Sequence, residues 1–422
     1  MQTFPTLPDY VTLEHDVARI LNNQELHGWR FDERSAWELE FTLRQELRET
    51  EELLRNQYPF VAGSEFTPKR SNSRSGYVEG CTFTRLKELN PSSRDHISWV
   101  LQTHHGWKPK SLTATGKPII DEPVLKDIGT PVALQFLQIL TITKMLGMIS
   151  EGENAWLKLV TNSRIHHHCS VATNTHRCAH RRPNLGQVPS DGRFRKLFIP
   201  SPGLVMVGAD LSGIELRMLA HYLARFDGGR YAKILLEDDI HQVNADKIGI
   251  SRKLVKTVTY AFLYGAGDEK IGHSYDELLS STAAKKKGKE IRQAYIEAID
   301  GLDKLLEGIK KAAERGYIKA IDGRKIAVDS SHKALNYLLQ SSAGVIAKRW
   351  MVINDQTIKD VGICASQVGF IHDELQFEVD PTHVKDLSTS LVHASLQAGE
   401  YYNLRIKIDA EASSGANWAD TH

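Results

Sequence analysis

Apolar residues recur at three- and four-residue steps through residues 9–58, among many Glu, Arg and Leu, and this period predicts long helix. It breaks over 61–76, "VAGSEFTPKRSNSRSG", where a polar loop is expected. "NPSSRDHISWVLQ" (90–102) reads as a helix start capped by Ser93 or Ser92, with helix resuming through about residue 160. The most apolar stretch, Ala133 to Ser150, is interrupted by Gln135, Gln138 and Lys144, so it reads as an amphipathic helix and not as a membrane span. "LVMVGAD" (204–210) is a short buried strand, and "SGIELRMLAHYLARF" after it is a helix. Asp322-Gly323 marks a hairpin turn inside "YIKAIDGRKIAVDS" (317–330). Residues 334–355 read as one long helix, and 367–380 as two strands joined tightly at His372-Asp373. The pattern is that of a helix-rich α/β (α+β) chain: a helical N-terminal part, then a mixed part interrupted by a helical insertion.

Composition narrows this only modestly. At 422 residues, with 41% apolar and 25% charged, the chain suits two or three domains or one lobed enzyme. The stretch "MQTFPTLPDY" lacks the basic and apolar regions of an export signal. Cys81, Cys169, Cys178 and Cys364 form no paired framework and suit a reducing cytosol. The net charge of +1 hides a local excess: Lys158 to Pro200 holds eight Lys/Arg and only Asp191 against them. A basic patch of this kind suits phosphate-backbone contacts. The second basic run, "AAKKKGK" (283–289), reads as a solvated loop and helix start.

The chemistry concentrates in three places. In "SRKLVKTVTYAFLYGAG" (251–267), Arg252, Lys256, Tyr260 and Tyr264 stand four residues apart and so share one broad helix face. The two cations can grip a triphosphate, Arg as a fork and Lys as a point charge, while the phenols offer stacking plates. Gly265 and Gly267 let a strand of nucleic acid approach the helix end. Asp210 sits where a buried strand meets a helix, either as a free carboxylate or as that helix's cap, with Ser212 the other capping choice. Asp373 sits at a strand-turn-strand tip 163 residues later. Two carboxylates on strand tips can bind Mg²⁺ ions that are completed by phosphate oxygens.

These segments together resemble a family A (polymerase-I-type) DNA polymerase, most of all the replicative polymerases of short-tailed phages. "DLSGIELR" is similar to that family's motif A, "RKLVKTVTYAFLYGAG" to motif B and "HDE" to motif C. "DIH" (239–241), "IDGRK" (321–325), "ALNYLLQSSAG" (334–344) and "RPNLGQVP" (182–189) match further segments in the same order. The resemblance implies a right-hand fold, with a thumb at 1–160, a palm built on an antiparallel sheet at 161–213 and 336–422, and fingers at 214–335. It implies Asp210, Asp373 and the Leu211 carbonyl as ligands of two Mg²⁺ ions, which Mn²⁺ can replace, with Glu374 beside them as a catalytic neighbour. Arg252, Lys256 and His241 would hold the incoming dNTP, Tyr260 and Tyr264 would face its sugar and the templating base, and Glu215 would exclude a ribose 2′-hydroxyl. Arg177, Asn336, Gln340, His372 and Gly265 would meet the primer-template.

The family's Thr-Gly-Arg appears here as Thr175-His176-Arg177. The proofreading exonuclease that usually precedes the thumb is not expected in this chain, which leaves room for a separate exonuclease, helicase or processivity factor. The thumb insertion that captures thioredoxin in one relative corresponds only to the short segment 61–76, so thioredoxin dependence is not expected. His166, His167, His168, Cys169, His176, Cys178 and His180 fit no common zinc-finger spacing and are read with the basic patch. Glu215 argues against the alternative of a single-subunit RNA polymerase. The complete set Asp210, Asp373, Arg252 and Lys256 argues against a non-catalytic DNA-binding subunit. The work of such an enzyme lies in the cytoplasm of an infected bacterium.

Overall fold

The computed structural model describes residues 7–276 and 279–422. Residues 1–6, the larger part of the stretch read as lacking an export signal, lie outside them. The chain forms two compact units, one of residues 1–32 with 159–422, the other of 33–158. This moves residues 7–32 out of the expected N-terminal domain. Helix α1 (Asp9–His27) buries Leu13, Val17, Ile20 and Leu21 along one stripe in the core of the larger unit. Its polar side is tied there too: Glu14 receives Lys348 Nζ at 2.8 Å and also pairs with Arg324, and Asp9 receives Arg349 at 2.8 Å. Strand β1 (Trp29–Arg30) follows.

The smaller unit holds helix α2 (Glu33–Gln57), strands β2 (Phe60–Phe66) and β3 (Phe83–Glu88), and helices α3 (Arg94–His105), α4 (Glu122–Ile128), α5 (Pro131–Leu146) and α6 (Trp156–Leu159). Its core gathers Leu54, Val100, Leu101, Phe136 and Ile139. The expected loop at 61–76 is a correction: β2 and β3 pair antiparallel, and Asn72 bridges Tyr77 beyond them. Tyr77 packs edge-on to both Phe66 and Phe83, whose own rings are tilted 31° to each other across this ribbon. Ser93 takes the cap position of α3, but its hydroxyl makes no cap hydrogen bond. Nor does helix run unbroken to residue 160, since 106–121 is irregular and a π-turn occupies Gly147–Glu151. The stretch Pro131–Leu159 is long and apolar enough to cross a membrane by length and composition alone. Within its unit, Val132, Phe136, Ile139, Ile142 and Leu146 are buried, as a core helix requires.

The larger unit continues with strands β4 (Arg164–Ile165), β5 (His168–Ser170) and β6 (Ala179–Arg181), helix α7 (Gly192–Arg195), strand β7 (Val205–Leu211) and helix α8 (Ile214–Asp227). Six helices and two strands follow: α9 (Arg230–Glu237), α10 (Ile240–Ile248), α11 (Arg252–Leu263), α12 (Asp268–Tyr275), α13 (Ser281–Ala298), α14 (Leu302–Ala313), β8 (Tyr317–Lys319) and β9 (Lys325–Ala327). Helix α15 (Ala334–Val361), strands β10 (Ala365–Ile371) and β11 (Glu374–Val379), helix α16 (Val384–Tyr401) and strand β12 (Ala410–Gly415) complete it. The basic run 283–289 is no loop; it lies inside α13, whose Gly288 is buried against α12. A Cβ there would stand 1.7 Å from the Asp268 carbonyl oxygen, and one at Gly272 would stand 1.8 Å from that of Ala284. The two helices therefore cross backbone to backbone.

The sheet that positions the candidate site is antiparallel, in the order β10-β11-β7-β12. β7 buries both faces, as its run Met206-Val207-Gly208-Ala209 suggests, with α16 packed nearby. Behind the sheet, Glu378 of β11 is buried and accepts hydrogen bonds from His27, Arg164 and both the backbone N–H and hydroxyl of Ser201.

Candidate active site

Backbone pairing brings Asp210 and Asp373 to one end of the sheet. Glu374 lies opposite Asp210 in the β11–β7 register, and Leu211 N–H donates to the Asp373 carbonyl at 3.1 Å. His372 makes the tight turn at φ +60°, a left-handed conformation that a non-glycine residue adopts only where the surroundings hold it. The cap of α8 is Gly213, with no side-chain cap bond, so neither Asp210 nor Ser212 is used as a helix cap. That leaves the Asp210 carboxylate free for other work. Burial, then Glu374, then Glu215 push Asp210 up to about 6, with His422 opposing. Burial, then Asp210 and Glu215 push Asp373 up to about 7. Two buried carboxylates that neighbouring acids keep from ionising form a site that a divalent cation would relieve. Both are hard oxygen donors, and with the Leu211 carbonyl adjacent they fit Mg²⁺ in chemistry.

Glu374 is different. It is 3% exposed, and its carboxylate accepts from Trp418 Nε1 at 2.5 Å, Gln376 Nε2 at 2.7 Å and His422 Nδ1 at 2.8 Å. Its oxygens are already engaged, so it braces the strand tip. Sequence reasoning missed these partners, and it missed Arg195. The Arg195 guanidinium lies 4.9 Å over the Trp418 ring, and its charge acts on Glu374 and Asp210. Its Nε and Nη1 are buried with no hydrogen-bond partner among the described residues. Membership of the basic run 158–200 was the only available signal.

The helical wall carries the second group. Burial first, then Arg252 and Lys256, hold His241 below the usual histidine range, while Asp239 opposes them. Arg252 Nε donates to Asp239 at 2.6 Å, so this cation is not idle in the free protein; Lys256 is exposed. Tyr260 lies with its ring 6.1 Å from that of His241. Tyr264, half exposed, donates to Glu215 Oε1 at 3.4 Å, and Arg177 pairs with the same carboxylate. Gly265 leaves the helix at φ +70°. The expected groove-probing group is brought together only in part. Asn336 donates its amide to the Leu263 carbonyl at 2.9 Å and ties α15 to α11, while Gln340 is half-buried. His372 stands edge-on to His180 at 5.9 Å.

A four-stranded antiparallel sheet with paired carboxylates at its rim, faced by a helix bearing cations and phenols, defines a nucleotidyl-transferring polymerase. The profile of DNA polymerase family A matches residues 71–420. The chain belongs to that family. It is 32% identical to the DNA-directed DNA polymerases of Enterobacteria phage T3 and Escherichia phage T7, in each case over 98% of this chain and 70% of the relative. DNA polymerase I of Pseudomonas aeruginosa is 26% identical over 80% of this chain and 39% of its own length. Among solved structures, the fold is similar to the POL domain of Pol1 from M. smegmatis, with TM-score 0.80, covering 96% of this chain and 70% of that one, at 22% identity. The chain is a DNA-templated DNA polymerase of a family that uses divalent metal ions.

Proposed function

We propose that the chain extends a DNA primer along its template with Asp210 and Asp373 as the ligands of two Mg²⁺ ions, which Mn²⁺ can replace, and that it replicates a phage genome in the cytoplasm of an infected bacterium. The observation that carries the reading is the backbone pairing that sets Asp210 at the end of β7 beside Asp373 in the β10–β11 turn. Bound there, such ions make the primer 3′-hydroxyl a nucleophile and neutralise the departing pyrophosphate.

The chain's own groups do the rest. Arg252 exchanges Asp239 for phosphate oxygens, and Lys256 and His241 complete the grip on the triphosphate. Glu215, held by Arg177 and Tyr264, walls off the space beside C2′, so that a ribose is refused. Tyr260 flanks the sugar, and Tyr264 covers the templating position. Donors from Arg177, Gln340 and His372 suit the minor groove, where purine N3 and pyrimidine O2 are acceptors in every correct pair. Asn336 acts first as the tie between α15 and α11, and Gly265 lets the template pass. In this reading residues 33–158 serve as the thumb, 161–213 and 336–422 as the palm, and 214–335 as the fingers. The M. smegmatis relative was solved with primer-template DNA and dNTP, the partners expected here. A separate exonuclease, helicase or processivity factor would act alongside. Thioredoxin is not expected among them, because the segment from β2 to β3 offers only a short ribbon.

Primer extension on a defined template, with dNTPs against rNTPs, tests the reading. Extension with dNTPs alone supports it; efficient rNTP use would favour an RNA polymerase, and no extension with either would favour a non-catalytic role.

A further inference from the structure

The histidine-cysteine run that no finger spacing explained folds into a compact cluster. β5 and β6 pair so that Cys169 lies directly opposite His180, which places both side chains on one face of the ribbon. His167, just ahead of β5, brings its ring to the same cluster. Cys169 Sγ and His180 Nδ1 are 3.2 Å apart, and a donor atom from each of His167, Cys169 and His180 lies within 4.8 Å of the others. Two of the other histidines are engaged elsewhere: His166 meets the Glu25 carbonyl at 2.7 Å, and His168 pairs with the Glu25 carboxylate at 2.7 Å, while His176 stands outside the trio with its Nε2 buried and without a partner among the described residues. Adjacent His residues alternate faces, which is why the spacing was unreadable in the sequence.

As a plain core the cluster is poorly built. His167 is 1% exposed and Cys169 8%, yet their polar atoms meet only the Gln24 amide, at 3.1 Å and 3.7 Å, and the His180 ring. His167 Nδ1 and His180 Nε2 are buried without partners among the described residues. An apolar trio would fill this space without leaving polar groups unpaired. Two imidazoles and a thiol whose donor atoms gather within 4.8 Å of one another are instead a borderline-soft donor set, matched to Zn²⁺ and foreign to Mg²⁺.

We propose that His167, Cys169 and His180 bind a structural Zn²⁺, distinct from the carboxylate site, with a water closing the fourth position and the Gln24 amide of α1 donating to the cysteine sulfur. The thiol gives up its proton as the sulfur–zinc bond forms. The ion then fastens the β5–β6 ribbon to α1. The ribbon's loop carries Arg177, which pairs with Glu215 and packs against Gly344 of α15, so the clamp also fixes this arginine.

Tag-free protein, purified without chelator and then dialysed against a metal-free buffer, should carry about one equivalent of zinc by mass spectrometry. A strong chelator should remove it and lower Tm. Added Co²⁺ should give a thiolate charge-transfer band and the intense visible bands of tetrahedral cobalt. Cys169→Ser should abolish both, while Cys178→Ser and Cys364→Ser keep them. Cys169→Val, which suits a buried position, should fold by circular dichroism yet lose zinc by about tenfold or more. Folded wild-type protein that holds no zinc and shows no thiolate–cobalt band would overturn the proposal. So would a Cys169→Val variant that binds as much zinc as wild type.

Discussion

Asp210 and Asp373 are set apart from the other carboxylates by what they lack. Glu14, Glu374 and Glu378 accept hydrogen bonds from cations or other donors, whereas these two are buried among other acids, Glu374 and Glu215 beside Asp210, and Asp210 and Glu215 beside Asp373. Asp210→Asn or Asp373→Asn should therefore lower the extension rate by about a hundredfold or more, since each removes a metal ligand. Primer-template affinity by fluorescence anisotropy should hardly change. Retention of a tenth of the wild-type rate by either variant would sink the assignment. Glu215→Ala should raise ribonucleotide incorporation, measured as the ratio of rNTP to dNTP insertion, because it opens the space beside C2′. An unchanged ratio would refute the gating role. Residue identities were legible where chemistry and element boundary coincide, as at Asp210 after an apolar run. The surroundings of Glu374 were not legible, because "HDE" says nothing of Trp418 and His422, which arrive from the far end of the chain to bond it.

Elements were legible where turn chemistry or burial imposed a pattern. Asp322-Gly323 announced the β8–β9 hairpin, and the run 204–210 announced β7. The β2–β3 ribbon went unseen because only Val61 in it is buried and most of its other residues are exposed, so no sustained alternation survives in its sequence. Two glycines give opposite predictions for the same substitution. Gly288→Ala drives a Cβ into the Asp268 carbonyl and should destabilise by about 2 kcal/mol, whereas Gly308 of α14 has nothing within 4 Å, and Gly308→Ala should stabilise by about 0.5–1 kcal/mol. Urea unfolding of both variants checks the sign. Behind the sheet, Glu378 is held down at about 2: burial favours the neutral acid, but His27, Ser201 and Arg164 together outweigh it. A folded-state value below the ordinary 4.5 means that its stabilisation is complete above that pH and is lost as pH falls toward 2. Wild type should exceed Glu378→Gln by about 3 kcal/mol at pH 7, and the gap should close steadily below pH 4.5. A gap independent of pH would show that packing, not charge, does the work.

For the whole molecule, proofreading would need a second carboxylate cluster free to hold metal. The four acids of α1 are engaged otherwise: Asp9 with Arg349 and Tyr401, Glu14 with Arg324 and Lys348, Asp16 with Arg19 at 4.0 Å, and Glu25 with His168. The purified chain should extend an end-labelled primer but not shorten a 3′-mismatched one in Mg²⁺ without dNTPs. Shortening that persists in Asp210→Asn would reveal a nuclease elsewhere. That α1 is a helix was plain from its period, but where it docks was not, because the residues that receive it lie more than 300 positions later. Order of synthesis gives this separation a price in time. At ~5–20 residues per second, α1 leaves the ribosome roughly 20–70 s before Lys348 exists to meet Glu14. Residues 33–158 can complete their own core in that interval, while α1 waits with Leu13, Val17 and Ile20 uncovered. In a growing chain, that stripe is the surface a holding chaperone would find first.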